Sequence, residues 1–305
     1  MSQNKPQYAK PALSIKEQVQ KLFSQGLKGV TEDELGTFLS RISNYRLRGY
    51  MYPYQDNSKK ESPFLSDVTW NMIVDDYNLD TSLRALLFEA ISYIEITLRT
   101  QIILNMSLAH NPRWYENDNL FYKKEQHKHD VEKLLKSWRG SKEIFVKHYH
   151  GNYDSSLVPP AWMIFETATI GTLSKFFENI ETTLQAKHSV AQFFGFTKNT
   201  LKILVSWIKH ITHIRNICAH HGRLFSCNFT VTAQFPKKVL KPWISILPRH
   251  NKIYGSICII TYLMNYCNPT FDFSRRIKTL MHHAPERRLH AMGFPLNWQD
   301  EDLFK

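Results

Sequence analysis

An all-α fold, a multi-helix bundle with helical and loop elaborations and little or no β-structure, follows from three features of this 305-residue chain. Apolar residues recur at helical spacing over long stretches: Leu83, Leu86, Leu87, Ala90, Ile91, Ile94, Leu98 and Ile102 mark one helix face, and Leu201 to Ile217 supplies another helix. Ile253 to Cys267 is an uncharged apolar run of 15 residues. That is short of the roughly 20 needed to cross a bilayer, so it reads as a buried core helix. Only Asn228 to Gln234 is strand-like.

Taken in order, the chain opens on a polar tail, Met1 to Lys10. Ser14-x-x-Glu17 and Thr31-x-x-Glu34 carry the pattern in which hydroxyl and carboxylate satisfy the first free amides of a helix. Two short helices are expected there, the first stopping at Gly26. Tyr45 to Ser62, rich in Tyr, Arg, Lys and Gly, reads as an irregular connector. Its side chains suit base stacking and phosphate pairing, or simply an ordered surface loop. From Asp67 onward the pattern turns strongly helical, and Asp80-Thr81-Ser82 is the expected start of a long helix reaching about Ala109, closed by Asn111-Pro112. Within it Glu95 and Arg99 stand in the favourable i, i+4 order. In so apolar a helix they are expected to form a partly buried pair beside the helix of Leu201 to Ile217.

Residues 113–157 are basic and aromatic, with a helix around Gln126 to Trp138, and Pro159-Pro160 ends them. Ala161 to Asn179 predicts a core helix interrupted near Gly171, and Thr183 to Phe194 a short one. Beyond Gly222 the prolines at 236, 242 and 248 mark irregular chain before the apolar helix, and Ser274 to His290 is basic. There is no internal repeat and no clean linker, which predicts one composite helical domain over 1–305.

A hydrophobic share of 43% with 22% charged residues excludes a disordered or collagen-like chain. The formal net charge of +12 gives a positive field that draws phosphate-rich partners, although a merely basic protein has the same balance. Cysteines at 218, 227, 258 and 267 show no C-x-x-C spacing, which suits a reducing compartment. With no apolar leader and no membrane-length run, the expectation is a cytoplasmic chain that does not enter a membrane. Cys218, His220, His221 and Cys227 are zinc-type ligands, but their spacing fits no common finger and adjacent histidines on a helix point apart. No metal or cofactor is expected.

The densest chemistry lies between Asn199 and His221. Lys202, Ser206, Lys209, His213, Asn216 and His220 follow at steps of three and four, a polar stripe on a helix otherwise apolar over most of its circumference. The stripe ends in Arg215-Asn216-Ile217-Cys218-Ala219-His220-His221. RNA scission without a metal needs a base for the 2′-hydroxyl, an acid for the 5′-oxygen, and a cation for the crowded phosphorane. Histidine suits the first two and the planar fork of arginine the third. Five residues on an ideal helix leave side chains ~140° apart and ~7.5 Å displaced, so Arg215 and His220 share no face unless the helix ends there. Gly222 is the natural stop. The negative end of the helix dipole at that point favours a cation and suits an acid role. Asn216 shares the face of His220 and is placed to orient it or to touch the phosphate. One chain offers a thin catalytic set, and two facing copies would supply two Arg–His pairs.

Arg-Asn-x-x-x-His at the end of a buried helix resembles the R-x4–6-H signature of the HEPN superfamily. Ile214 to Leu224 is similar, more narrowly, to bacterial abortive-infection proteins of the AbiD/AbiF type. Further blocks agree: Lys10-Pro11 to Gly26-Leu27; Leu79-Asp80-x-x-Leu83-Arg84 with Glu95-x-x-Leu98-Arg99; Pro159-Pro160-Ala161-Trp162-Met163 with Glu166, Gly171 and Leu173-Ser174; and Met292-Gly293-Phe294-Pro295 with Trp298. The resemblance implies a HEPN-like core at about 67–110 and 160–222. An N-terminal helical extension (11–64), a basic insertion (113–157) and a C-terminal helical extension (223–305) would surround it.

It implies phage defence by a toxin-like, metal-independent endoribonuclease acting as a homodimer. Arg215 and His220 would be catalytic, Asn216 accessory, and His221, Glu95 and Arg99 supporting. Lys202, Lys209, His213 and Arg223 are expected to contact RNA. His220 is preferred to His221 for proton transfer because it lies on the stripe. Such a chain would be restrained by a partner, a small antitoxin protein or an RNA on the basic surface. The competing reading is a non-catalytic RNA-binding or scaffold protein, in which Arg215 holds phosphate without cleavage.

Overall fold

The computed structural model describes residues 7, 9–154, 157–236 and 242–305. Most of the expected tail at Met1 to Lys10 lies outside the described residues. Among those described there are thirteen α-helices, no strand, and two isolated β-bridges, Gln55 with Phe64 and Phe121 with Ile180. The all-α expectation holds. By packing, the chain divides into two compact units, Met1–Ser82 and Leu83–Lys305. The boundary falls within a helix, where no change of composition marks it.

The first unit holds α1 (Ile15–Ser24), α2 (Glu32–Arg41), α3 (Asn44–Met51) and the start of α4 (Trp70–Ala109). Both expected capping boxes form: Ser14 and Thr31 accept from the amides of Glu17 and Glu34, whose carboxylates return to the cap amides. Helix α1 ends in a Schellman motif. Gly26, at φ +89°, donates to the Phe23 carbonyl, and Leu27 donates to that of Leu22.

Two expectations fail in this unit. Tyr45 to Ser62 is not all connector: Ser43 caps α3, whose Leu47, Tyr50 and Met51 are buried at i, i+3 and i+4. A single apolar turn among so many polar residues is too short to register as periodicity. Asp80 does not start a helix either, because α4 begins ten residues earlier. Asp76 and Asp80 are buried in α4 and accept from the hydroxyls of Tyr54 and Tyr50, each at 2.5 Å. Both carboxylates serve tertiary packing, and at Asp80 this replaces the cap that the residue type suggested.

The second unit continues α4 and adds α5 (Lys124–Gly140), α6 (Ile144–Asn152), α7 (Ala161–Ile164), α8 (Ile170–Asn179), α9 (Gln185–Phe193), α10 (Leu201–Ala219), α11 (Ile253–Cys267), α12 (Phe273–Met281) and α13 (Glu286–Ala291). Helix α10 packs against α8, α9 and α11. Every residue of α11 from Ile253 to Met264 is buried, as its composition predicts. The interruption expected near Gly171 is present, and it falls at Ala168 and Thr169. Thr169 accepts from the Thr172 amide and so restarts the helix, leaving Gly171 in its first turn. The C-terminus of α8 is closed by buried Lys187, whose amino group donates to the carbonyls of Glu178 and Ile180. Burial pulls that amine down to about 8.

Residues 228–234 form no strand. Side chains of α10 take up part of their backbone: Trp207 Nε1 donates to the Gln234 carbonyl at 2.7 Å, His210 Nδ1 to that of Val231 at 2.7 Å, and Ser206 Oγ accepts from the Gln234 amide at 3.1 Å, while the Phe229 amide donates to the Asn251 carbonyl at 2.9 Å. With α10 side chains and the Asn251 carbonyl as partners, these groups are bonded without a ladder.

Candidate active site

Helix α10 buries Leu204, Trp207, Ile208, His210, Ile211, Ile214 and Cys218. Its polar stripe lies on the opposite side: Lys202, Lys209, Asn216 and His220 are exposed, Ser206 and His213 half-buried. The stripe is therefore the outer face of a deeply seated helix. Its members then divide by what they touch. Ser206 holds the 228–234 segment. Lys209 lies 3.8 Å from Glu178. His213 packs near the Phe229 ring, and desolvation lowers its pKa. Lys202 stands clear of any ion pair among the described residues.

The helix stops one residue before the histidine pair. His220 is the C-cap, its amide bonded to the Asn216 carbonyl. His221 donates to the Cys218 carbonyl at 3.0 Å, and Gly222 to that of Ile217 at 2.7 Å. This is the Schellman pattern again, but the left-handed position that α1 gives to Gly26 is here filled by His221, at φ +55°. Gly222 is one step further on, in tight contact, since a Cβ there would stand 2.8 Å from Ile217 Cγ2. The stop expected at Gly222 is thus made by His221 and Gly222 together. His220 and His221 are both exposed beyond the last turn. The side chains of His220 and Asn216 have no hydrogen-bond partner among the described residues.

Arg215 is held differently. Its guanidinium lies 5.5 Å above the Phe88 ring, and Nε is 4.0 Å from Glu95 Oε2. Glu95 also accepts from Arg99 Nη2 at 3.0 Å, and Arg99 reaches Glu166 at 3.4 Å and the Ala168 carbonyl at 3.2 Å. The Glu95 and Arg99 side chains are only 15% and 13% exposed, whereas Arg215 keeps 31%. A half-buried carboxylate thus serves two arginines and leaves one of them facing outward. Low exposure strengthens each charge–charge contact relative to water.

Arg84, also buried, donates to the Gly222 carbonyl at 3.5 Å. Contacts of residue 84 with 222, and of 88 and 95 with 215, run in opposite order, so α4 crosses α10 antiparallel. Arg223 bonds the Phe225 carbonyl at 3.0 Å, which ties it to the turn after the helix.

The fold thus brings Arg215, Glu95 and Arg99 into one ionic chain and sets Asn216, His220 and His221 on the adjoining open helix end. Arg84, Phe88 and Glu166 also support the site. The signal for the first two was present, since 84, 88, 95 and 99 are spaced by four, seven and four on one helical face. Glu166 comes from a different element and carried no periodic signal. Among the described residues no group of three or more His, Cys, Asp or Glu is arranged to hold a metal. Cys218 is buried, and Cys227 donates to the Arg223 carbonyl at 3.2 Å. Among the same residues no helix is long and apolar enough to cross a membrane.

No curated protein and no solved structure shows significant similarity to the chain. The family of Abi-like proteins matches residues 37–226, more than half of the chain, and its span takes in α3 to α10 with Glu95, Arg215 and the histidine pair. The chain therefore belongs to the Abi-like family, and with it to the abortive-infection proteins of phage defence.

Proposed function

We propose that the protein is a metal-independent endoribonuclease of the HEPN type, with Arg215 and His220 at its centre. One observation carries the proposal: a half-exposed arginine, oriented by a half-buried carboxylate and an aromatic face, stands beside an open helix end bearing His220 and Asn216. One imidazole accepts the 2′-hydroxyl proton as the 2′-oxygen attacks phosphorus, and another delivers a proton to the departing 5′-oxygen. Products are a 2′,3′-cyclic phosphate and a 5′-hydroxyl. The arginine fork faces the non-bridging oxygens as their charge grows. Asn216 adds a hydrogen bond to phosphate or imidazole.

A base and an acid on opposite sides of the phosphorus call for two histidines. A homodimer presenting two Arg–His sets meets that need, and sedimentation at twice 35.9 kDa tests it. Full-rate cutting by a monomer would sink the pairing. Until infection the nuclease is held by a restraining partner, an RNA on the basic surface or a small antitoxin protein.

The decisive experiment incubates the purified chain with RNA in EDTA. Cleavage leaving cyclic phosphate ends is expected, and His220→Ala is expected to abolish it while changing RNA affinity by less than about threefold. Undiminished cutting by His220→Ala overturns the assignment. RNA binding without cleavage by either protein makes the chain a non-catalytic RNA-binding or scaffold member of the defence system.

A further inference from the structure

The first unit contains a second surface rich in chemistry, which the site on α10 does not use. A cleft of about 430 Å³ opens between α1, α3 and the loop after it. Lys10, Lys21, Arg48 and Lys60 line it, all exposed, against the single carboxylate of Glu61. Among the described residues none of these four cations takes part in an ion pair. Neighbouring Lys59 shows the contrast, paired with Asp56 at 3.2 Å. Two aromatic rings stand in the same lining, Tyr45 at 85% and Tyr52 at 62% exposure.

From this placement we infer that the cleft is a single-stranded RNA-binding site. Its four cations track the phosphates, and Tyr45 and Tyr52 stack on bases. The combination decides the ligand. Lysines and an arginine alone fit any polyanion, an acidic peptide included. Tyrosines left mostly in water gain from burial under a base, a planar π-system that an acidic peptide does not offer. Duplex RNA fits less well, because its bases are stacked on one another and closed to the rings.

The first unit then grips an unpaired stretch of RNA independently of Arg215 and His220. The inference rests on the reading of the protein as an RNA-directed one, and its test is separable from cleavage.

The test uses the full-length His220→Ala chain, so that RNA survives the measurement, and a short labelled single-stranded RNA of mixed sequence. Replacing Lys21 and Arg48 together by Gln is expected to weaken binding at least tenfold. It should also reduce the slope of log K against log salt by about 1.4, the loss of two phosphate contacts on a single strand. Tyr45→Ala is expected to weaken binding roughly tenfold with the slope unchanged, since stacking releases no counterions. Lys16→Gln, an exposed charge on α1 outside the cleft, should change neither.

Affinity and slope unmoved by the double substitution overturn the inference. So does equal binding of polyglutamate with no effect of Tyr45→Ala, which would mark a simple acidic-partner surface. If these RNA results hold while the unsubstituted chain fails to cut RNA, the nuclease reading falls and the cleft stands.

Discussion

Arg215 and Glu95 are coupled through distance and burial. The carboxylate sits between two guanidiniums, and neutralising it leaves Arg99 with Glu166 alone and takes from Arg215 the one carboxylate it reaches among the described residues. Glu95→Gln is therefore expected to lower unfolding stability by about 3 kcal/mol, the range found when one partner of a shielded pair is removed. Urea unfolding measures it, and a loss under about 0.5 kcal/mol would mean that the network is dispensable. Arg215→Lys is expected to leave stability nearly unchanged but to cut kcat about 100-fold, because an ammonium lacks the fork that spans two phosphate oxygens. Single-turnover cleavage reads that directly. Arg215, Asn216 and His220 were legible as residues because motif and spacing name them. The partners of Arg215 were only half legible: Glu95 lies on a periodic face, but Glu166 and the Ala168 carbonyl reach Arg99 from elements remote in sequence.

At the scale of the element, the end of α10 is the unusual one. The same Schellman geometry closes α1 with a glycine and α10 with His221 in the left-handed region. For a residue with a Cβ that conformation costs about 1–2 kcal/mol. His221→Val is expected to be about 1–2 kcal/mol less stable than His221→Gly, since β-branching makes the left-handed well still less accessible. Equal stability of the two would show that the cap relaxes. Gly222→Ala should destabilise by about 1–3 kcal/mol through its collision with Ile217.

Helix boundaries were readable where a full local device set them, as Ser14, Thr31 and Gly26 did for α1 and α2, whereas the lone hydroxyl caps Ser43 and Thr169 went unread. They were misread where a residue with cap chemistry was claimed by tertiary contact, as Asp80 was by Tyr50. Asn228 to Gln234 was misread for the same reason: alternation along the chain is compatible with a strand, but Ser206, Trp207 and His210 take up its backbone groups.

For the molecule as a whole, acidity should be felt first through buried imidazoles. His210 is 1% exposed, bonded to the Val231 carbonyl and to Ser256 Oγ, and burial brings its pKa down to about 4. The folded state keeps it neutral. Below about pH 6.5 the unfolded chain binds a proton that the folded chain refuses, so this contribution is complete above that pH and is lost progressively towards pH 4. The total is on the order of 3 kcal/mol. His210→Gln should flatten the fall in urea midpoint between about pH 7 and about pH 5, and an unchanged profile would assign the acid sensitivity elsewhere, His127 and His213 being shifted in the same direction by burial.

His210 also belongs to a set whose effect is dynamic. Together with Ser206 and Trp207 it ties the irregular 228–234 segment to the inner turns of α10. Opening that segment means breaking bonds to the core of the helix, so in hydrogen-exchange terms the two form one cooperative unit. The amide of Gln234 should accordingly exchange in step with the middle of α10, although it lies in no helix. A force applied to this loop would thus be passed to the helix that carries Arg215.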